Sequence, residues 1–84
     1  MKICMITFRS VTPAQRAEEL LSEHGIRCTL QRTPRWMQEQ GCGYSLRLSC
    51  GEVPRAMELL RQKKLPYRKL YGQKEMGVWE EMAL

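Results

Sequence analysis

"IRCTLQRTPRWMQEQGCGYSLRLS", residues 26–49, contains two runs of strict alternation with a break between them. In 26–32, Ile26, Cys28 and Leu30 fall on one side and Arg27, Thr29 and Gln31 on the other. In 44–49, Tyr44, Leu46 and Leu48 alternate with Ser45, Arg47 and Ser49. A period of two is that of a strand with one buried face, so both runs read as half-buried strands with their apolar residues inward. "TPRWMQEQG" (33–41) breaks the pattern, and its Thr33-Pro34 can cap a short helical turn that Gly41 closes.

Each flank of this strand pair carries a strand and a helix. "KICMITF" (2–8) is apolar almost throughout, as expected of a central strand covered by helices. "SVTPAQRAEELLSEHG" (10–25) reads as a helix with Thr12 at the N-cap, Pro13 at N1 and Gln15 completing a capping box. Ala14, Ala17, Leu20, Leu21 and His24 form its buried stripe, Gly25 ends it, and His24 interacts with the dipole of the last turn. "GEVPRAMELLRQKK" (51–64) is a second helix burying Val53, Ala56, Met57 and Leu60, and "LPYRKLYG" (65–72) is the last strand. No internal repeat is visible. The order predicts an α+β fold, a ferredoxin-like βαββαβ sandwich: a four-stranded antiparallel sheet with both helices on one face. Residues 1–72 then form one domain and 73–84 an acidic C-terminal tail. In the tail Met76, Trp79, Met82 and Ala83 would share a helical face, either packed on the domain or offered as a docking peptide.

A chain of 84 residues makes one small domain. At this length only about 60–65% of the unfolded surface is buried, so stability is modest. No apolar run is long enough to span a bilayer, and the N-terminus lacks the core and cleavage site of a signal peptide; the expectation is a cytoplasmic protein. In such a reducing compartment, and without a CxxC pair, the four cysteines argue against a disulfide framework. His24 is the only histidine, so zinc would need all four thiols, and their spacing is irregular. Cys4 and Cys28, on apolar faces, read as inert core thiols. The net charge is +5, but Lys74 is outnumbered by Glu75, Glu80 and Glu81 in the tail, which leaves +7 on residues 1–72. A body this basic suits an acidic protein surface, an anionic small molecule or nucleic acid.

"EQGCGYSLRL" (39–48) sets Cys42 between Gly41 and Gly43 at the mouth of the second alternating strand. The two glycines strip bulk from the thiol and leave backbone N–H groups open to it. The residues alone read equally well as a cysteine filling a tight turn and as a thiol meant to be reached by a large partner. A thiolate is the nucleophilic form, and nearby cations lower the thiol's ordinary pKa of about 8.5, so Arg35 and Arg47 are candidates to stabilise it. If 34–40 is a helical turn, Cys42 follows its C-terminus, where the dipole acts in the opposite sense. Cys50, near the N-terminus of the second helix, has the better position; it reads as a second or resolving thiol, or as a strand-end thiol without a role. Trp36 is a lid over the thiol, a partner contact, or cover for the core edge.

"TF" at 7–8, the helix after it, "TPR" at 33–35 and "CGYSLRL" at 42–48 together resemble the selenium/sulfur carrier protein-like family of small bacterial and archaeal proteins. The likeness covers about residues 2–72, and its most specific part is Thr-Pro-Arg, then Cys-Gly, then a hydrophobic residue and arginine. The resemblance implies a carrier whose cysteine holds sulfur or selenium as a persulfide or perselenide. The carrier cysteine falls on Cys42 and its glycine on Gly43, the proline-arginine on Pro34 and Arg35, and the strand arginine on Arg47. Gly41, Trp36-Met37, Cys50 and the acidic tail are additions to that pattern. The implied partners are a cysteine desulfurase or selenocysteine lyase as donor and selenophosphate synthetase or another acceptor. No cofactor is implied.

Two other classes compete. The βαββαβ order is also that of RNA-recognition domains, but Phe8 and Tyr44 are the only aromatics of the central strands and the usual stacking motif is absent, which disfavours nucleic acid. A small ligand-binding regulatory module shares the fold but gives the Gly41-Cys42-Gly43 loop no purpose. An independent enzyme lacks a His beside a Cys, a phosphate loop and a placed carboxylate pair. The open sheet face leaves a homodimer available.

Overall fold

In the computed structural model, residues 3–33, 43–75 and 78–82 are described. β1 (Ile3–Phe8), α1 (Val11–Glu23), β2 (Cys28–Arg32), β3 (Tyr44–Ser49), α2 (Val53–Gln62), β4 (Leu70–Glu75) and β5 (Val78–Met82) follow one another in the chain. They build one five-stranded sheet in the order β2-β3-β1-β4-β5, every neighbouring pair antiparallel. The α+β architecture with two helices and an antiparallel sheet is as expected, while the four-stranded sheet is corrected to five. Trp79 lies in β5, opposite Gln73 of β4, so the helical face expected of the tail is also corrected. Met76 and Ala83, the other ends of that stripe, lie outside the described residues.

Sheet register sorts the side chains into two faces. Cys4, Ile6 and Phe8 of β1 pair with Leu48, Leu46 and Tyr44 of β3, and Ile6 also pairs with Leu70. These residues meet Ala14, Ala17, Leu20 and Leu21 of α1 and Val53, Ala56 and Leu60 of α2 in one core. Burial of such apolar side chains contributes roughly 1.5–3 kcal/mol each and is what holds the layers together. Met57, expected inside, is only half-buried against this core. On the opposite face Met5 and Tyr71 pack with Trp79, and the Gln31 amide approaches Met5 Sδ at 3.7 Å. Ser45 shares that face and is fully buried, although alternation placed it toward solvent.

Both helices end alike. At α1, Gly25 (φ 77°) donates its N–H to Ser22 O at 3.0 Å, and Ile26 donates to Leu21 O at 2.9 Å. This is a Schellman cap, for which glycine has no steric cost. At α2, Lys64 (φ 54°) donates to Arg61 O at 3.1 Å and Leu65 to Leu60 O at 2.9 Å. The Arg55 guanidinium donates to His24 O at 2.7 Å and ties the second helix to the end of the first. His24 is exposed, which corrects its place in the buried stripe, and its Nδ1 lies 2.9 Å from Leu20 O in the last turn.

Two boundaries also move. α1 starts at Val11 with an extended Ser10 at the N-cap and no side-chain cap bond, so Thr12 and Pro13 sit inside its first turn. Proline fits there because the first N–H groups of a helix have no intrahelical partner. The last core strand starts at Leu70, because Leu65 closes the α2 cap and Pro66 brings no N–H. Pairing with β1 is prepared just ahead of the strand: Arg68 donates to Thr7 O at 2.7 Å and Thr7 to Lys69 O at 2.8 Å.

Candidate functional site

The candidate thiol segment leaves the sheet after Arg32 and re-enters it before Tyr44, which face each other in the β2–β3 register. The Arg32 guanidinium stands 6.0 Å from the centre of the Tyr44 ring. One step further out, Thr33 donates its N–H to Gly43 O at 3.0 Å, closing the base of the segment. Gly43 has a packing reason to be glycine: a Cβ there would lie 3.1 Å from Phe8 O and 3.4 Å from Thr33 Oγ1. That close approach, rather than a positive φ, favours the missing side chain.

Among the expected site residues, Gly43, Arg47 and Cys50 are described; Arg35, Gly41 and Cys42, like Pro34, Trp36 and Met37, lie outside the described residues. Arg47 is exposed on the sheet face away from the helices, opposite Met5 on one side and Thr29 on the other. Four residue steps along the strand, about 13 Å, separate it from Gly43. Between them Ser45 Oγ is buried and has no hydrogen-bond partner among the described residues.

Cys50 is bonded to Cys4, with 5.0 Å between their Cα atoms. The disulfide corrects the expectation of four thiols and of Cys4 as an inert free one. Register explains it: Cys4 faces Leu48, so Cys50, two residues on, returns to the same side within disulfide reach. In this state Cys50 offers no thiol, although it begins the 3₁₀ turn Cys50–Glu52 that leads into α2. Cys28 is the free cysteine among the described residues, half-buried against the core. Burial, and secondarily the nearby Glu18 carboxylate, push its thiol pKa up, so it stays protonated. It borders a surface cleft of about 540 Å³ with Arg27, Thr29 and Arg47, but a protonated thiol is a poor nucleophile there.

Among the described residues no group of three His, Cys, Asp or Glu side chains could hold a metal ion. No helix among them is long and apolar enough to cross a membrane. Phe8, one of the two aromatics that base stacking would need, is 1% exposed beneath the helices, and Tyr44 shares its face.

The profile of the family described as "Putative Se/S carrier protein-like" matches residues 3–72. The chain belongs to this family. The match runs from the first residue of β1 into β4, and so takes in both anchors of the Cys42 segment. A search of curated proteins returns no match for the chain. Membership supports a selenium- or sulfur-carrier role and, with it, interaction with donors or acceptors of those elements. The disulfide is not legible in the sequence, because residues 46 positions apart meet only once the β1–β3 register is known.

Proposed function

We propose that the protein carries sulfur or selenium on Cys42 as a persulfide or perselenide and passes it to an acceptor enzyme. The observation that carries the reading is the closed base of residues 34–42: the residue joined to Cys42 is Gly43, held by Thr33 and fitted against the Phe8 carbonyl. A thiol joined to an anchored residue, in a chain of this family, is suited to being visited repeatedly. The inventory of thiols supports the same residue, since Cys4 and Cys50 are consumed by the disulfide and Cys28 is held protonated.

Loading is a sulfur exchange without net oxidation. The Cys42 thiolate attacks the outer sulfur of a donor enzyme's persulfide, the donor's S–S bond breaks, and its thiolate leaves. Cys42 then holds the new S–S bond. Arg35 and Arg47 would stabilise the thiolate and the anionic persulfide that replaces it. The donor is a cysteine desulfurase or selenocysteine lyase, and the acceptor selenophosphate synthetase or a similar enzyme. The first four strands, ordered β2-β3-β1-β4 with α1 and α2 in the connections, support a ferredoxin-like reading of the carrier domain, with the acidic 73–84 segment as its extension.

Cold cyanolysis tests the reading, since cyanide removes a sulfane sulfur as thiocyanate. Protein loaded by a cysteine desulfurase is expected to release about one thiocyanate per chain, and Cys42→Ala none. Equal release from Cys42→Ala and the wild type would overturn the assignment.

A further inference from the structure

Tyr67 is the large apolar side chain that stands exposed among the described residues, with 44% of its surface in contact with solvent. It separates two clefts. One, of about 490 Å³, is floored by Pro54, Met57 and Leu65 and rimmed by Glu58 and Arg61. The other, of about 330 Å³, lies between Arg9, Ser10, Pro13, Pro66 and Arg68. The connection that carries Tyr67 is fixed at both ends, by the Leu65 N–H bond to Leu60 and the Arg68 N–H bond to Thr7. Tyr67 is therefore displayed on a held loop.

Charge on this surface is mostly positive. Arg9 and Arg68 line one cleft and Arg61 the other, and Lys63 and Lys64 precede Tyr67 in the same connection; all five are exposed. Glu58 is the carboxylate lining either cleft, and it is ion-paired with Arg61. The first turn of α1, which opens at Ser10, contains no acidic residue. Location matters as much as charge. Thr7 O takes the Arg68 N–H, while Phe8 O faces Gly43, so the Tyr67 surface and the base of the Cys42 segment share one end of the sheet.

We infer that this surface docks the protein that supplies sulfur to the chain, through an acidic segment of the donor with an apolar side chain among its carboxylates. The inference rests on the carrier reading of Cys42. The donor's carboxylates meet Arg9, Lys63, Lys64 and Arg68, and its apolar side chain fills the Pro54–Met57–Leu65 cleft beside Tyr67. Tyrosine and arginine at the centre of such a patch are typical of interface anchors, and complementary charge speeds encounter in a salt-dependent way. A single-stranded nucleic acid is the poorer occupant: it needs a series of aromatic platforms, whereas these clefts are floored by proline, methionine and leucine around one tyrosine.

The experiment compares two sulfur donors on the full chain. A cysteine desulfurase with cysteine must dock, whereas inorganic polysulfide need not. Tyr67→Ala and Arg9→Glu are expected to lower kcat/KM for desulfurase-driven loading about ten-fold, with polysulfide loading of Cys42 unchanged. Added salt should slow the wild type on the enzyme more than on polysulfide. Variants that load from the desulfurase as fast as the wild type overturn the docking surface and leave the carrier reading standing. So does a wild type that loads from polysulfide but not from the desulfurase. Loading from neither donor removes the carrier reading and the inference with it. Binding of a single-stranded RNA oligomer that Arg9→Glu abolishes, with desulfurase loading intact, also overturns the inference.

Discussion

Breaking the Cys4–Cys50 bond should cost this domain a large part of its stability. The two cysteines are 46 positions apart, and Cys4 is fully buried while Cys50 is half-buried at the core edge. Cross-linking a loop of this length removes about 4 kcal/mol of chain entropy from the unfolded state at 25 °C. A domain of 84 residues has about 4–13 kcal/mol in all. Reduction therefore takes between about a third and nearly all of the total. Cys50→Ala is the clean genetic equivalent, because it leaves Cys4 as a small apolar side chain in its own site. Urea unfolding followed by circular dichroism, with and without a phosphine reductant, reads the difference. At a slope of about 1 kcal/mol/M the midpoint should fall by about 4 M on reduction, and Cys50→Ala should show the low midpoint in both conditions. Thiol titration of the unfolded, unreduced chain should find two thiols, Cys28 and Cys42, and reduction should raise the count to four. Superimposable urea curves, or four thiols before reduction, would rule out a stabilising Cys4–Cys50 cross-link.

Three further outcomes follow from local geometry. Lys64→Gly should stabilise the protein by about 1 kcal/mol in the same urea assay, because Lys64 holds φ 54° at a cap where glycine has no penalty. Gly43→Ala should destabilise by roughly 1–3 kcal/mol, since the new Cβ would press on Phe8 O at 3.1 Å, and hydrogen exchange at the Thr33 amide should quicken. Cys28 should alkylate more slowly than a free thiol at pH 8, and Glu18→Gln should speed it, because burial and then Glu18 raise its pKa. The sign for stability is that of a proton held more tightly when folded. The contribution is fully present below the thiol's unfolded range and is lost as pH rises through the raised folded pKa.

Elements whose apolar residues follow one period were legible in the chain. The alternation in 26–32 and 44–49 gave the β2–β3 pair, although Ile26 precedes the strand, and the Ala14-Ala17-Leu20-Leu21 spacing gave the buried face of α1. What escaped depended on partners distant in sequence. Met76, Trp79 and Met82 are spaced like a helix, yet Trp79 belongs to a strand because β4 offers a free edge to pair with. Cys4 and Cys50 meet through register, which no local pattern encodes. Ser45 follows the outward beat of β3 but is buried between Thr7 of β1 and Gln31 of β2, on a face that has a cluster of its own in Met5, Tyr71 and Trp79. The family motif, by contrast, was readable as a string of residues, and the family profile matches residues 3–72, which contain it.

The proposed carrier role rests on one atom, the Cys42 sulfur. The decisive measurement is the intact mass of the protein after incubation with a cysteine desulfurase and cysteine, and then with selenocysteine, alongside Cys42→Ala, Cys28→Ala and Cys50→Ala. A carrier thiol at Cys42 gives a reducible gain of one sulfur or one selenium atom on the wild type and on the Cys28 and Cys50 variants, and no gain on Cys42→Ala. A gain that survives Cys42→Ala, or its absence from every chain, would show that Cys42 carries nothing.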